Sequence, residues 1–301
     1  MSLYIILAAL AGLLYGTLSL AYKYAERVHA RSAQFTFVLS VTAATVTFIK
    51  SFSEQSLWHE PMLWIAGAAM GCVIVAGVFV ILAANRLGPV YSSWTMVNVS
   101  FLFAIFLSAV LLREKLLCVD PLNFLLFCLT LFLFVKGMRA GAGGRRQKET
   151  LLHLFALIGV FAANGLATFG SKLKYIFFGE ANTAAYATVF YVVSALITLT
   201  LLLFRRNGPL LTGGEIKSGV LGGICISTAT ILFLSAMALP AAAVFTITQG
   251  VSLTSGVALT TIVGKERLNR WMALGLVLGA IVLVAVVFRE TTAAWLCGFL
   301  R

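Results

Sequence analysis

Long runs without a charged residue dominate the chain: 1–22, 32–49, 61–85, 87–112, 121–135, 150–171, 181–204 and 271–288. Each fits one membrane-spanning helix, which needs about 20 mostly apolar residues because the hydrocarbon core is about 30 Å thick and each helical residue rises about 1.5 Å. The run 218–264 is too long for a single helix. Ala238-Leu239-Pro240-Ala241 near its middle supplies a break, since proline cannot donate the interior hydrogen bond, and the run predicts two helices. The expected total is ten, joined by short connections. The apolar runs do not alternate, which excludes a β-barrel and leaves helices as the way to satisfy the backbone in lipid.

The first run has no basic segment before it and is long enough for a full crossing, so it predicts a retained helix and not a cleaved leader. The most polar link, Arg139 to Glu149, is rich in glycine and basic residues and falls between helices five and six. It divides the chain into a first five-helix unit at 1–138, a linker at 139–150, a second unit at 151–290 and a tail at 291–301. The two units repeat. A shift of 152 places Gly67-x-x-x-Gly71 on Gly219-x-x-x-Gly223, Leu82 and Ala84 on Leu234 and Ala236, Leu87 on Leu239, Ser100 on Ser252, and Arg113-Glu114-Lys115 on Lys265-Glu266-Arg267. Lys23-Tyr24 and Lys174-Tyr175 correspond at a slightly different shift. Five helices per unit is an odd number, so the second unit enters the membrane upside down. The expected fold is an all-α integral membrane protein of two inverted five-helix repeats around a central cavity, an architecture common among secondary transporters.

Composition removes several alternatives. The chain is 61% hydrophobic and 11% charged, with a mean hydropathy of +1.02, against about a quarter charged in soluble domains. A soluble enzyme is excluded. Asp120 is the sole aspartate among ten acidic residues, which leaves no material for carboxylate-dense metal or diphosphate chemistry. The five cysteines show no CxxC or paired spacing, and His29, His59 and His153 are scattered, so no metal, cofactor or disulfide framework is expected. The net charge of +12 comes without a basic stripe interleaved with aromatics, which argues against nucleic acid. A membrane-embedded enzyme lacks Asp-rich pairs, a His cluster and a Gly-x-Ser-x-Gly motif; a non-transporting membrane subunit is the third class.

The chain resembles the drug/metabolite transporter superfamily in its ten-helix EamA-like branch. The likeness is carried by Phe233-Leu-Ser-Ala-Met-Ala-Leu-Pro240-Ala-Ala-Ala-Val244, by Val263-Gly-Lys-Glu266-Arg-Leu, and by Gly275 and Gly279 in the last helix. A weaker first-half copy is Ala84-Asn-Arg-Leu-Gly-Pro89 with Leu112-Arg-Glu114-Lys-Leu. The resemblance implies a basket of ten helices moving small metabolites, in a plasma membrane such as the bacterial inner membrane. The expected partners are a small-molecule solute and the lipid bilayer, with a homodimer left open. The fifth helix departs from the pattern, since 121–135 has no glycine pair.

Polar residues within lipid are costly and usually face protein or water, so their helical spacing marks the interior face. Tyr15, Ser19 and Tyr22 recur at i, i+4, i+7 in helix one, and Asn164, Thr168 and Ser171 do so in helix six. Tyr91, Trp94 and Asn98 share a face of helix four, while helix nine presents Thr246, Gln249 and Ser252. For a single Ser or Thr the alternative is a bond back to its own helix. Asn98, Asn164 and Gln249 need more partners, because a primary amide makes up to four hydrogen bonds. Tyr15, Tyr22, Tyr91, Trp94, Tyr186 and Tyr191 supply rings for an aromatic box that attracts an organic cation. Tyr22 and Tyr91 sit near span ends, where interfacial aromatic belts also occur. Trp94 and Asn98 are the sharpest expectation. The expected binding set is Tyr15, Ser19, Trp94, Asn98, Asn164, Thr168, Tyr186, Tyr191, Gln249 and Ser252. The Gly-x-x-x-Gly pairs predict close helix packing.

No charged residue lies well inside any run, which disfavours proton coupling through a carboxylate and points to neutral, zwitterionic or cationic solutes. Fifteen of the 22 Lys and Arg residues fall in the loops after helices one, three, five, seven and nine. The excess of basic residues predicts those loops in the cytoplasm and both termini outside. The family resemblance implies the opposite orientation.

Overall fold

A computed structural model describes residues 2–52, 61–112, 147–179, 182–204, 210–236, 241–263 and 269–287, with single residues and short pieces between 122 and 137. The charged triplets, Pro240, the linker at 139–146 and the tail at 291–301 fall outside the described residues, as does the side chain of Thr246. All regular structure among the described residues is helical. The elements are α1 (Ser2–Arg27), α2 (Ser32–Ser51), α3 (Pro61–Leu87), α4 (Val90–Val99) and α5 (Phe101–Leu111), then α6 (Gln147–Phe178), α7 (Thr183–Phe204), α8 (Gly213–Ser235), α9 (Ala241–Ile262) and α10 (Arg270–Val287). Six of them, α1, α2, α3, α6, α7 and α8, are long and apolar enough to cross a membrane. The described residues are thus helical, and the six long apolar helices fit a multi-pass membrane protein. Of the expected fifth span, residues such as Leu125, Leu126, Leu129 and Thr130 are described, and they are helical.

Local chemistry sets the helix ends. At the close of α1, His29 adopts φ 50° while Ala30 N donates to Ala25 O at 2.9 Å and His29 N to Glu26 O at 3.0 Å, the bond pair of a Schellman motif. Gly179, at φ 62°, ends α6 in the left-handed region. Pro89 precedes α4, where its missing N–H costs nothing. Buried His153 of α6 closes the α3–α4 turn, with Nδ1 at 3.1 Å from Ala84 O and Nε2 at 3.1 Å from Ser92 Oγ. Thr212 and Glu215 form a capping box at α8. Glu215 also accepts from Arg31 Nε at 2.8 Å and from Arg31 N at 3.1 Å, tying the starts of α2 and α8 together.

Two boundaries differ from the sequence reading. The linker's last residues belong to α6, which begins at Gln147. The fourth span is interrupted at Ser100, so that α4 and α5 follow one another as separate pieces. Side chains take over the backbone partners there: Ser100 Oγ donates to Val97 O at 2.6 Å, and Asn164 Nδ2 of α6 donates to Val97 O at 2.9 Å and Ser100 Oγ at 2.7 Å.

The helices pack through small residues and short hydroxyl contacts. Ser40 meets Ser194 at 2.7 Å and Thr188 donates to Thr47 at 3.1 Å; the reversed order makes α2 and α7 antiparallel. Gly67 and Gly71 admit α7, since a Cβ on them would lie 2.6 Å from Val189 Cγ1 and 2.8 Å from Phe190 O. Gly219 and Gly223 admit α2 in the same way, 2.6 Å from Val38 Cβ and 2.6 Å from Thr42 Cβ. Gly12 and Gly16 of α1 bring it against Thr248 and Ser255 of α9. These Gly-x-x-x-Gly pairs are packing seams, as their spacing predicts. Outward faces carry apolar residues such as Ile49, Ile65, Phe155, Phe177, Leu196 and Phe204. Many hydroxyls and amides, such as those of Ser40, Asn98, Thr188 and Ser194, are buried inward, and the outward Thr45, Thr200 and Thr254 bond back to their own helices, the arrangement that lipid surroundings favour.

Candidate functional site

The inward polar faces converge on a cavity of about 150 Å³ between α1, α3, α4, α6, α7, α8 and α9. Its walls are mainly apolar, with aromatic rings from Tyr15, Tyr22, Trp94, Phe190, Tyr191 and Phe233 and polar groups from Asn164, Thr168, Ser171, Thr230, Gln249 and Ser252. None of its lining residues among those described is charged. Predominantly apolar walls with a few placed polar groups are the usual character of a small-molecule pocket.

The rings are held in contact chains. Tyr22 sits 6.3 Å from Trp94 and 5.4 Å from Phe35, Tyr15 lies edge-on to Phe233 at 6.3 Å, and Phe190 is 4.3 Å from Tyr191, all between centroids. Trp94 is 2% exposed, and its Nε1 donates to Ser252 O at 3.1 Å. Gly256 of α9 makes room for the indole, because a Cβ there would collide with it. Thr230 joins two phenols, at 3.2 Å from Tyr15 Oη and 3.2 Å from Tyr191 Oη. That bridge links α1, α7 and α8.

Seven of the ten residues expected in the binding set line this cavity: Tyr15, Trp94, Asn164, Thr168, Tyr191, Gln249 and Ser252. Three are placed elsewhere. Ser19 donates to Gly16 O at 2.6 Å and to Gly256 O at 3.3 Å, and so serves the α1–α9 contact. Asn98 shares a helix face with Trp94, yet its Nδ2 turns back to Trp94 O at 2.7 Å and the residue is fully buried away from the lining. Tyr186 packs edge-on to Phe190 at 5.5 Å, within an apolar cluster with Leu63 and Met70. Ser19 and Asn98 are each one residue, about 100° of helix, from the lining residues Leu18 and Val97.

The belt reading of two tyrosines also changes. Tyr22, 2% exposed, is part of the lining, and Tyr91, 1% exposed, is packed in the core. Thr230, Phe190 and Phe233 were not singled out by the sequence. The repeat contains a signal for two of them, because a shift of 152 maps the lining residues Ile74, Val78 and Ile81 of α3 onto Ile226, Thr230 and Phe233 of α8. Lys174 does not reach the cavity; its Nζ donates to Gly179 O and Thr183 Oγ1, both at 2.9 Å. No group of metal-ligating side chains occurs among the described residues.

No family model and no curated protein matches the chain. A solved structure described as "Crystal structure of protein" is similar over 97% of this chain and 97% of its own, with a TM-score of 0.66 at 18% identity. At that identity the likeness is one of fold, and it extends to the whole helical arrangement.

Proposed function

We propose that this protein is a membrane transporter that moves small neutral, zwitterionic or cationic solutes through the central cavity by alternating access between two inverted five-helix repeats, in the manner of the EamA-like drug/metabolite transporters. The observation that carries the reading is the cavity itself: a pocket deep among spanning helices, walled by both halves, aromatic and polar but uncharged. Secondary transporters hold their cargo in a pocket between repeats near the bilayer midplane.

The repeat is supported residue by residue. The glycines of α3 that admit α7 correspond at a shift of 152 to the glycines of α8 that admit α2, and their targets Val189, Phe190 and Val193 correspond to Val38, Leu39 and Thr42 at the shift of 151 that also relates Lys174 to Lys23. The antiparallel course of α2 and α7 is what inversion requires of equivalent helices. One end is locked differently from the other. Arg31 and Glu215 are paired at the α1–α2 end, whereas the repeat relates them to Asn182 and Leu63, which form no ion pair. Opening that end separates the starts of α2 and α8. In this reading the basic loops are cytoplasmic, the termini face outward, and a bacterial inner membrane is the location; labelling of single cysteines introduced at Gly143 and at the C-terminus tests the orientation.

Transport is tested by reconstituting the purified protein in liposomes and measuring uptake of solutes chosen by a thermal-shift screen. Saturable uptake absent from empty liposomes supports the proposal. Chemical turnover of lipid substrates without solute flux would favour the membrane enzyme.

A further inference from the structure

The hydrogen bonds already made around the cavity determine which groups remain for a ligand. Asn164 commits both Nδ2 hydrogens, to Val97 O at 2.9 Å and Ser100 Oγ at 2.7 Å, so its carbonyl oxygen is what it has left to offer. Thr168 donates its hydroxyl hydrogen to Asn164 O at 2.9 Å, and Ser171 donates its own to Ala167 O at 3.0 Å. The stripe at 164, 168 and 171 on α6 is therefore acceptor-only, three oxygens with lone pairs and no hydrogen to give. Beside it, Gln249 is 9% exposed, lines the cavity and has no hydrogen-bond partner among the described residues. Its amide adds a further acceptor and two donors. The remaining walls are aliphatic side chains, such as Leu18, Ile74 and Ile81, and the rings of Tyr15, Tyr22, Trp94, Phe190, Tyr191 and Phe233, whose quadrupoles attract cations.

We propose that the solute is a protonated primary or secondary amine carried on a compact apolar or aromatic body, with its N–H groups directed at the α6 acceptor stripe and the Gln249 carbonyl and its charge against the tyrosine and tryptophan rings. This assignment rests on the transport reading of the cavity and narrows it. An ammonium brings two or three donors to a site rich in acceptors. A carboxylate meets no Lys, Arg or His among the described lining residues, only the Gln249 amide and the Tyr15, Thr230 and Tyr191 hydroxyls, so most of the cost of desolvating its charge is left uncompensated. A quaternary ammonium keeps the attraction to the rings but leaves the acceptors unpartnered.

The test compares phenethylamine, its N,N,N-trimethyl analogue and 3-phenylpropionate on the purified full chain, by titration calorimetry and by flux in liposomes. The amine is expected to bind, the quaternary analogue at least about tenfold more weakly, and the carboxylate not measurably. Thr168→Val with Ser171→Ala removes two acceptors that bond only within their own helix, so the melting temperature holds while affinity for the amine falls about tenfold. Absent amine binding, a carboxylate bound as tightly as the amine, an equally tight quaternary analogue, or unchanged affinity in the double variant each overturns the assignment. An amine that binds without flux leaves the assignment standing and removes transport. Flux of a carboxylate in preference to the amine does the reverse.

Discussion

Trp94 and Gln249 occupy the same cavity wall but differ in what holds them, and substitutions there separate packing from binding. The Trp94 ring is nearly fully buried, contacts Tyr22 and donates to Ser252 O. Trp94→Ala leaves a large void, and the variant is expected to lose about 3 to 5 kcal/mol of stability, read as an earlier melt in detergent. Trp94→Phe keeps most of the volume and loses the indole donor, at a cost of about 1 kcal/mol. Gln249 lines the cavity and makes no side-chain bond among the described residues. Gln249→Leu is expected to shift stability by no more than about 0.5 kcal/mol while weakening the ligand by about 0.5 to 1.5 kcal/mol in a calorimetric titration. A large loss of stability in Gln249→Leu would show an internal partner. The residue scale is also where sequence reasoning fell short. Ser19, Asn98 and Tyr186 sit on helices that do line the cavity, but periodicity fixes a face only to within about one residue, roughly 100°, and backbone acceptors one turn away captured the Ser19 and Asn98 side chains.

At the scale of elements, the seams between helices are sensitive to volume. Gly71 lies against Phe190 O and Val193, and Gly223 against Leu39 O and Thr42. Gly71→Val and Gly223→Val are each expected to cost about 1 to 3 kcal/mol by forcing helices apart, with equal direction in both because the contacts correspond. Thermal unfolding of the two variants checks this; stabilisation in either would contradict the seam. The start of α8 depends on Glu215, which completes the cap of Thr212 and receives Arg31. Glu215→Ala is expected to lower stability by about 1 to 2 kcal/mol, whereas Arg31→Ala, which removes a partner whose side chain is 36% exposed, costs less than about 1 kcal/mol. The charge-free runs foretold these helices well, because the membrane imposes their length and each must satisfy its own backbone. The interruption at Ser100 was not foretold. There Asn164, 64 positions from Ser100 in sequence, bonds to Val97 O and Ser100 Oγ, a contact no local pattern marks.

For the molecule as a whole, the division of the run 218–264 into α8 and α9 and the glycine seams were legible from proline and spacing alone. The cavity lining was legible where one polar residue recurs at helical intervals, as with Asn164, Thr168 and Ser171. It was hidden where the wall is apolar, since Ile74, Val78 and Ile81 carry no mark that distinguishes a cavity face from a packed one. In the proposed mechanism, solute crosses through this cavity as the two halves alternate. Counterflow in liposomes tests it most directly: vesicles loaded with unlabelled amine are diluted into a trace of the labelled compound. Alternating access predicts transient accumulation of label above its equilibrium level, saturable in the internal amine and reduced in Gln249→Leu. Simple leak, or uptake that internal amine fails to accelerate, would contradict the account.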